Sequence, residues 1–138
     1  MITLYSLADF LSDVINPIFC LLLLWERKGF RTAWPFWLRT ALALLIAVGL
    51  AELGKALPIW PGHKGFPSGH TTFAATCTTA LVLHRGTRWL VPSILLTLLM
   101  MASLIYGHWH SLGDTLGALA LALSVTVVCW KLTRGSCE

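Results

Sequence analysis

Two short segments of the chain hold side chains that can act together on an anion. The first, residues 65–70 with the sequence GFPSGH, leads directly into an apolar stretch rich in threonine. Ser68 is a favourable helix N-cap, so the free backbone N–H groups and the positive end of the helix dipole would point at one small volume. Such a helix start is typical of an anion site, and an ordinary capped membrane helix is the alternative.

The second segment carries a histidine and a carboxylate four residues apart, His110 and Asp114, where another apolar stretch begins. One helical turn brings such a pair together, and the carboxylate can keep one ring nitrogen protonated while the other presents its lone pair. A histidine oriented in this way serves as a nucleophile or a base, and His70 in the first segment is available as a general acid. An interfacial polar pair without chemistry is the alternative.

The elements that hold these segments are predicted to be membrane-spanning helices. Of the 138 residues, 57% are hydrophobic and 12% are charged, about half the charged share of a soluble domain. We expect an all-α transmembrane bundle that forms one domain over residues 1–138. About five spans fit the hydrophobic pattern, at roughly 7–25, 37–57, 69–84, 88–106 and 114–132.

Two of these spans carry further expectations. Asp9 and Asp13 are four residues apart on the first span, so they share one helix face, which we expect near an interface or inside the bundle. The third span is short and rich in threonine, and small or hydroxyl side chains allow helices to pack closely. We therefore expect the third span at the centre of the bundle.

Basic residues predict which side of the membrane each loop faces. Five spans leave only Lys55 and Lys64 on one side. The other eight lie on the opposite side: Arg27, Lys28, Arg31, Arg39, Arg85, Arg88, Lys131 and Arg134. The positive-inside bias makes that side cytoplasmic, so both candidate segments face the periplasm or the exterior, as expected for a protein of a bacterial inner membrane. The net charge of +4 is then a topology signal, and we expect no nucleic-acid partner.

Taken together, the two segments resemble the type 2 phosphatidic acid phosphatase (PAP2) superfamily. The pattern of that superfamily is Lys-x6-Arg-Pro, then Pro-Ser-Gly-His, then Ser-Arg-x5-His-x3-Asp. In this chain the second motif is complete at residues 67–70, and the third matches at Ser103, His110 and Asp114. The resemblance covers about residues 50–132.

Two arginines of the pattern are replaced. Lys55 matches the lysine of the first motif, but Gly62 and His63 stand where the arginine and the proline are expected. Leu104 replaces the arginine of the third motif. The two guanidinium groups that clamp the phosphate in the family are therefore missing, and the family usually has six spans. Glu52, one turn before Lys55, is expected to pair with that lysine and to face the site.

The resemblance implies a lipid phosphate phosphatase or phosphotransferase that needs neither metal nor cofactor and works through a phosphohistidine. His110 is the implied nucleophile, Asp114 orients it, and His70 protonates the leaving oxygen. The implied partners are a lipid phosphate and membrane lipids, and a homo-oligomer is compatible with the pattern. Phosphate binding is expected from Lys55, His63, Lys64, Ser68, Gly69 and His108, with Lys64 supplying part of the missing charge.

Two alternatives stay open. Without its arginines, the protein could be a catalytically impaired homologue that binds lipid phosphate or a partner protein. A metal site could instead be built from the histidines and the carboxylate, since these side chains suit zinc or another transition metal. The residues of that site would be His63, His70, His108, His110 and Asp114.

Overall fold

The computed structural model describes residues 4–25, 29–57, 59 and 64–134. This part of the chain forms five α-helices and a 3₁₀ turn, and it contains no strand. The helices are α1 (Leu4–Leu24), α2 (Phe30–Ala56), α3 (Gly69–Arg85), α4 (Leu90–Tyr106) and α5 (Leu112–Arg134), and the 3₁₀ turn at Thr87–Trp89 precedes α4. The predicted all-α bundle is confirmed.

Four of the five described helices are long and apolar enough to cross a membrane. These segments are Leu4–Leu24, Ala33–Ala56, Thr87–Tyr106 and Leu112–Thr133. α3 has only 17 residues, so at about 1.5 Å per residue it is somewhat shorter than the hydrocarbon core of about 30 Å. Five helices are thus present where five spans were predicted, and the protein is a polytopic membrane protein.

The short helix α3 lies at the centre of the bundle and contacts all four other helices. Its side chains are buried on every face along residues 74–81, most of them alanine and threonine. These small residues allow close approach, and two of their hydroxyls bond to backbone carbonyls. The Thr78 hydroxyl donates to the Ser93 carbonyl of α4 at 3.0 Å, and the Thr79 hydroxyl donates to the Ala75 carbonyl at 2.8 Å. The predicted central position is confirmed.

One end of the bundle brings together the helix ends that carry basic residues. Arg85 at the end of α3 donates to the carbonyl of Trp25, which follows α1, and its guanidinium carbon lies 5.1 Å from the centre of the Trp89 ring. Arg39 of α2 donates to the Thr133 carbonyl near the end of α5 at 3.2 Å. The chain therefore runs up and down through the bundle, and both candidate segments lie at the other end.

The acidic face of α1 lies on the outside of the bundle. Asp9 and Asp13 are one turn apart as predicted, but both side chains are exposed. The buried face of α1 consists of Ala8, Ser12, Ile15, Phe19 and Leu23, at the spacing of one helical stripe. Of the two placements predicted for these carboxylates, the bundle interior is therefore wrong.

Candidate functional site

The start of α3 has the features of an anion site. Ser68 is the N-cap and is fully buried, and its Oγ accepts a hydrogen bond from the Thr71 N–H at 3.4 Å. The Ser68 carbonyl accepts from both the N–H and the hydroxyl of Thr72, at 2.9 and 2.8 Å. The helix begins at Gly69, so the N–H groups of its first turn face the loops at this end of the bundle.

A backbone hydrogen bond ties this helix start to α5. The Ser68 N–H donates to the Asp114 carbonyl at 3.1 Å. α3 and α5 both begin at this end, so the positive ends of two helix dipoles point toward the same region. The structure thus brings the two sequence segments into one site.

His110 and Asp114 lie at the centre of this site. Nδ1 of His110 is 3.8 Å from Oδ2 of Asp114, and the two side chains are only 13% and 8% exposed. This distance is longer than a hydrogen bond, and His110 Nδ1 is buried without a hydrogen-bond partner. Hydrogen bonds of catalytic groups are often long in substrate-free proteins and shorten when substrate binds. The pair predicted from the four-residue spacing is therefore in place to orient the ring.

The backbone around His110 is fixed from both sides. The N–H groups of Trp109 and His110 donate to the Leu104 carbonyl in the last turn of α4, at 3.1 and 3.3 Å. On the other side, the Ser111 N–H donates to Asp114 Oδ2 at 2.8 Å, and the Asp114 N–H donates to Ser111 Oγ at 3.2 Å. This reciprocal pair is a capping box at the start of α5. Ser111 was not among the predicted site residues, although the Ser-x-x-Asp spacing was visible in the sequence.

Leu104 contributes to the core rather than to the site. Its side chain is 3% exposed and belongs to the hydrophobic cluster around Ile15, Phe19 and Met100. A guanidinium at this position would have to be buried among apolar side chains at a high cost. The charge that arginine supplies in the motif must therefore come from elsewhere. Gly62, the other arginine position, lies outside the described residues.

Lys55 and Glu52 form an ion pair that rests on the start of α3. Lys55 Nζ donates to Glu52 Oε1 at 2.7 Å. A Cβ built on Gly69 would lie 2.7 Å from Glu52 Oε1 and 3.5 Å from Lys55 Nζ, so the glycine leaves the space that the ion pair fills. The predicted pairing of Glu52 with Lys55 at the site is confirmed.

The surroundings of His110 favour its neutral form. Burial lowers the pKa of His110 below its ordinary value of 6.5, and the positive charges of Lys55 and His70 lower it further. The carboxylate of Asp114 acts in the opposite direction and only partly offsets these effects. A neutral imidazole keeps the lone pair that a nucleophile needs.

The other predicted residues are distributed around this centre. His70 is exposed in the first turn of α3, and Lys64 is exposed in the turn that precedes Gly65. His108 has a left-handed backbone with φ 59°, and its ring lies 6.4 Å from the ring of Tyr5 on α1. The phosphate-binding roles of Lys64 and His108 stay predictions. His63 lies outside the described residues.

The described part of the chain contains no set of ligands for the alternative metal site. Among those residues, no group of three or more His, Cys, Asp or Glu side chains is arranged to hold a metal ion. His110 and Asp114 are adjacent, but His108 contacts Tyr5 on α1.

Three further residues position the site and were not predicted to do so: Gly65, Phe66 and Gly117. A Cβ on Gly65 would lie 3.1 Å from His110 Nδ1, so the backbone of this loop packs directly on the imidazole. The Phe66 ring occupies the space beside Gly117 on α5, where a Cβ would overlap it. Nothing local in the sequence indicates which ring fills the space above Gly117.

These features define a helical integral-membrane protein with a histidine–carboxylate pair beside two helix N-termini. The family model of the PAP2 superfamily matches residues 50–136, more than half of the chain. The protein belongs to the PAP2 superfamily, which confirms the resemblance seen in the motifs. Membership indicates a phosphatase-type activity on a phosphoric ester. Comparison with curated proteins and with solved structures gave no match.

The contact between Phe66 and Gly117 predicts a sensitive position on α5. Gly117→Ala should displace the Phe66 ring and, with it, the loop that packs on His110. This change should lower kcat/KM by on the order of tenfold to a hundredfold, because a shift of about 1 Å in a reacting group can cost that much. Gly113→Ala is the matched control, since a Cβ there would lie at an ordinary 3.6 Å from Ser111 Oγ. Phosphatase kinetics of the two variants would decide, and equal activities would show that the contact does not position the site.

The electrostatic surroundings of His110 predict how its reactivity depends on pH. Because its pKa is lowered, His110 should stay neutral, and reactive toward diethyl pyrocarbonate, to pH values below 6.5. Lys55→Met removes a positive charge that lowers this pKa. The midpoint of the curve of diethyl pyrocarbonate reactivity against pH should therefore move to higher pH. Lys131→Met, at the other end of the bundle, should leave that midpoint unchanged. Mass spectrometry of the modified peptide gives the midpoint. A midpoint above 6.5 in the wild type, or a downward shift in Lys55→Met, would contradict the assignment.

Proposed function

We propose that the protein hydrolyses or transfers the phosphate of a membrane lipid, as a monoester or a diphosphate, through a phosphohistidine at His110. The observation that carries this proposal is the joined site. His110 lies beside Asp114, next to the start of α3, and within the electrostatic reach of Lys55 and His70. A nucleophile, its orienting carboxylate, an anion site and a second histidine are thus present in one place.

The geometry supports a two-step reaction. Nδ1 of His110 faces Asp114, so Nε2 is the nitrogen that attacks phosphorus. The N–P bond forms as the P–O bond to the lipid breaks, and His70 gives its proton to the leaving oxygen. Water then attacks the phosphohistidine and passes a proton to His70, which releases inorganic phosphate and restores both histidines. In a phosphotransferase, the hydroxyl of an acceptor takes the place of that water.

Fixed dipoles and lysines supply the charge in this proposal. Negative charge spread over the phosphoryl oxygens is stabilised by the N–H groups at the starts of α3 and α5. Lys55 adds a point charge at the start of α3, with Lys64 in the adjoining turn as its predicted partner. A lysine lacks the two-pronged geometry of arginine, so we propose that the phosphate is held less rigidly than in sites with the complete motifs.

A lipid substrate is supported by the position of the site. Trp109 and Leu112 flank His110 along the chain and are 46% and 57% exposed. The outer surfaces of α4 and α5 are also apolar and exposed, as at Leu98 and Leu116. A substrate can therefore keep its chains in the bilayer while its phosphate enters the site.

A catalytically impaired homologue is the second candidate. One observation favours it: Leu104 belongs to the apolar core at a position where the family motif has a phosphate-binding arginine. Such a protein would bind a lipid phosphate without turning it over.

We also propose that the site faces the periplasm or the exterior. The support is the cluster of basic residues at the opposite end of the bundle, exemplified by Arg39 and Arg85, together with the positive-inside bias.

The nucleophile assignment predicts that His110→Asn lowers phosphate release from a short-chain lipid phosphate by on the order of 10³-fold or more, as for other lost nucleophiles. His84→Asn is the matched control, because His84 stacks on Phe36 at 4.1 Å at the opposite end of the bundle and should retain turnover. Substrate labelled with ³²P should leave acid-labile label on the wild type and none on His110→Asn. Label on His110→Asn would refute the assignment, and binding without turnover by the wild type would establish the impaired homologue.

The orientation proposal predicts opposite labelling of two exposed basic positions, Lys64 and Arg88. In a background whose four native cysteines are replaced by alanine, Lys64→Cys should react with a membrane-impermeant maleimide in intact cells, and Arg88→Cys should react only after lysis. The reverse pattern would place the site on the cytoplasmic side.

A further inference from the structure

The carboxylate of Glu52 lies beside the start of α3, close to the proposed anion site. Its Oε1 is 2.7 Å from the position that a Cβ would take on Gly69, the first residue of α3 after the N-cap Ser68. The same oxygen lies 2.7 Å from Lys55 Nζ. This negative charge is paired with the lysine ammonium and lies beside a helix N-terminus, the two groups that a phosphoryl group would use.

The ion pair is built so that its two members can separate. The Glu52 side chain is 57% exposed, whereas that of Lys55 is 25% exposed. The carboxylate can therefore swing into water while the ammonium stays at the site. An ion pair this exposed contributes little to stability, because water screens its charges. Separating it costs little compared with the charge-assisted hydrogen bonds that a phosphate would form.

The position of the pair also distinguishes it from an ordinary surface contact along one helix. Glu52 and Lys55 lie three residues apart on α2, yet the pair rests on Gly69 of a different helix. The charge of Lys55 reaches His110 and lowers the pKa of that histidine. Lys55 therefore acts on the reacting group as well as on the anion site, and Glu52 is the ion-pair partner of this lysine.

We propose that Glu52 is a specificity-determining residue that competes with phosphate for this site. In the substrate-free protein its carboxylate fills the anion position and keeps Lys55 directed at the start of α3. A dianionic phosphoryl group displaces it by binding both partners, whereas a weakly charged anion does not. When inorganic phosphate leaves, Glu52 returns, so the product is held less tightly. This inference rests on the proposed function, since it concerns the same pocket.

The test measures phosphate binding directly and does not require turnover. Purified wild-type protein, Glu52→Gln and Glu52→Ala are titrated with inorganic phosphate at constant ionic strength, and Kd is taken from the rise in melting temperature. Both variants should bind phosphate about fivefold to tenfold more tightly than the wild type, because a negative charge a few ångströms from the bound anion is removed. Asp13→Asn is the matched control, an exposed carboxylate on α1, and should bind phosphate as the wild type does.

The outcomes separate this inference from the proposed function. Unchanged or weaker phosphate binding by both Glu52 variants overturns the inference, and turnover by the wild type in the same preparation leaves the proposed function intact. Tighter binding by the variants supports the inference even if the wild type turns over no lipid phosphate, a result that would instead refute the enzymatic proposal. Failure of every protein to bind phosphate overturns the inference alone when the wild type turns over a lipid phosphate, and overturns both proposals when it does not. An equal gain in Asp13→Asn would show that net charge, and not the position of Glu52, controls binding.

Discussion

The hydrogen bond from the Ser68 N–H to the Asp114 carbonyl holds the starts of α3 and α5 at a fixed distance from each other. The proposed anion site depends on the first helix start, and the proposed nucleophile, His110, lies just before the second. Without this bond, two fully buried or nearly buried backbone groups at the end of a membrane bundle would need other partners, which is costly where water is scarce. The position of His110 relative to the α3 N-terminus is thus a consequence of backbone pairing, and no side chain has to reach across the site to set it.

Asp114 makes three structural hydrogen bonds in addition to its contact with His110. Its carbonyl accepts from Ser68, its N–H donates to the Ser111 hydroxyl, and its Oδ2 accepts from the Ser111 N–H. The same carboxylate oxygen lies 3.8 Å from His110 Nδ1. A substitution at Asp114 would therefore disturb the α5 cap and the ring orientation together, and its kinetic effect would mix the two. A substitution of the Ser111 side chain would separate them, because its Oγ bonds only to the Asp114 N–H, whereas the bond to the carboxylate comes from the Ser111 backbone.

The features that the sequence predicted are those governed by local pattern. The apolar stretches predict the helices, the four-residue spacing predicts the His110–Asp114 pair, and the threonine-rich segment predicts the central place of α3. The contacts of Gly65 with His110 and of Phe66 with Gly117 join segments about fifty residues apart. The periodicity of the sequence does not predict contacts between such distant segments. The spacing of Asp9 and Asp13 specified a common face but not its surroundings, which depend on the apolar stripe that α1 buries. α2 begins at Phe30, ahead of the predicted span, because a helix can continue past the apolar segment that hydrophobicity detects.

The loss of the two motif arginines has a structural counterpart in Leu104. Its side chain packs into the core with Phe19 and Met100, while its carbonyl still anchors the backbone of His110. The backbone at position 104 thus holds the proposed nucleophile in place, and the side chain supplies packing in the core instead of charge. Helix dipoles then supply a larger share of the positive potential, and these are fixed by the fold and need no reorganisation when charge develops. A lysine held by a displaceable carboxylate is the mobile part of such a site. Because the fixed dipoles attract any anion, we propose that selectivity comes from the mobile part, the ion pair that rests on Gly69.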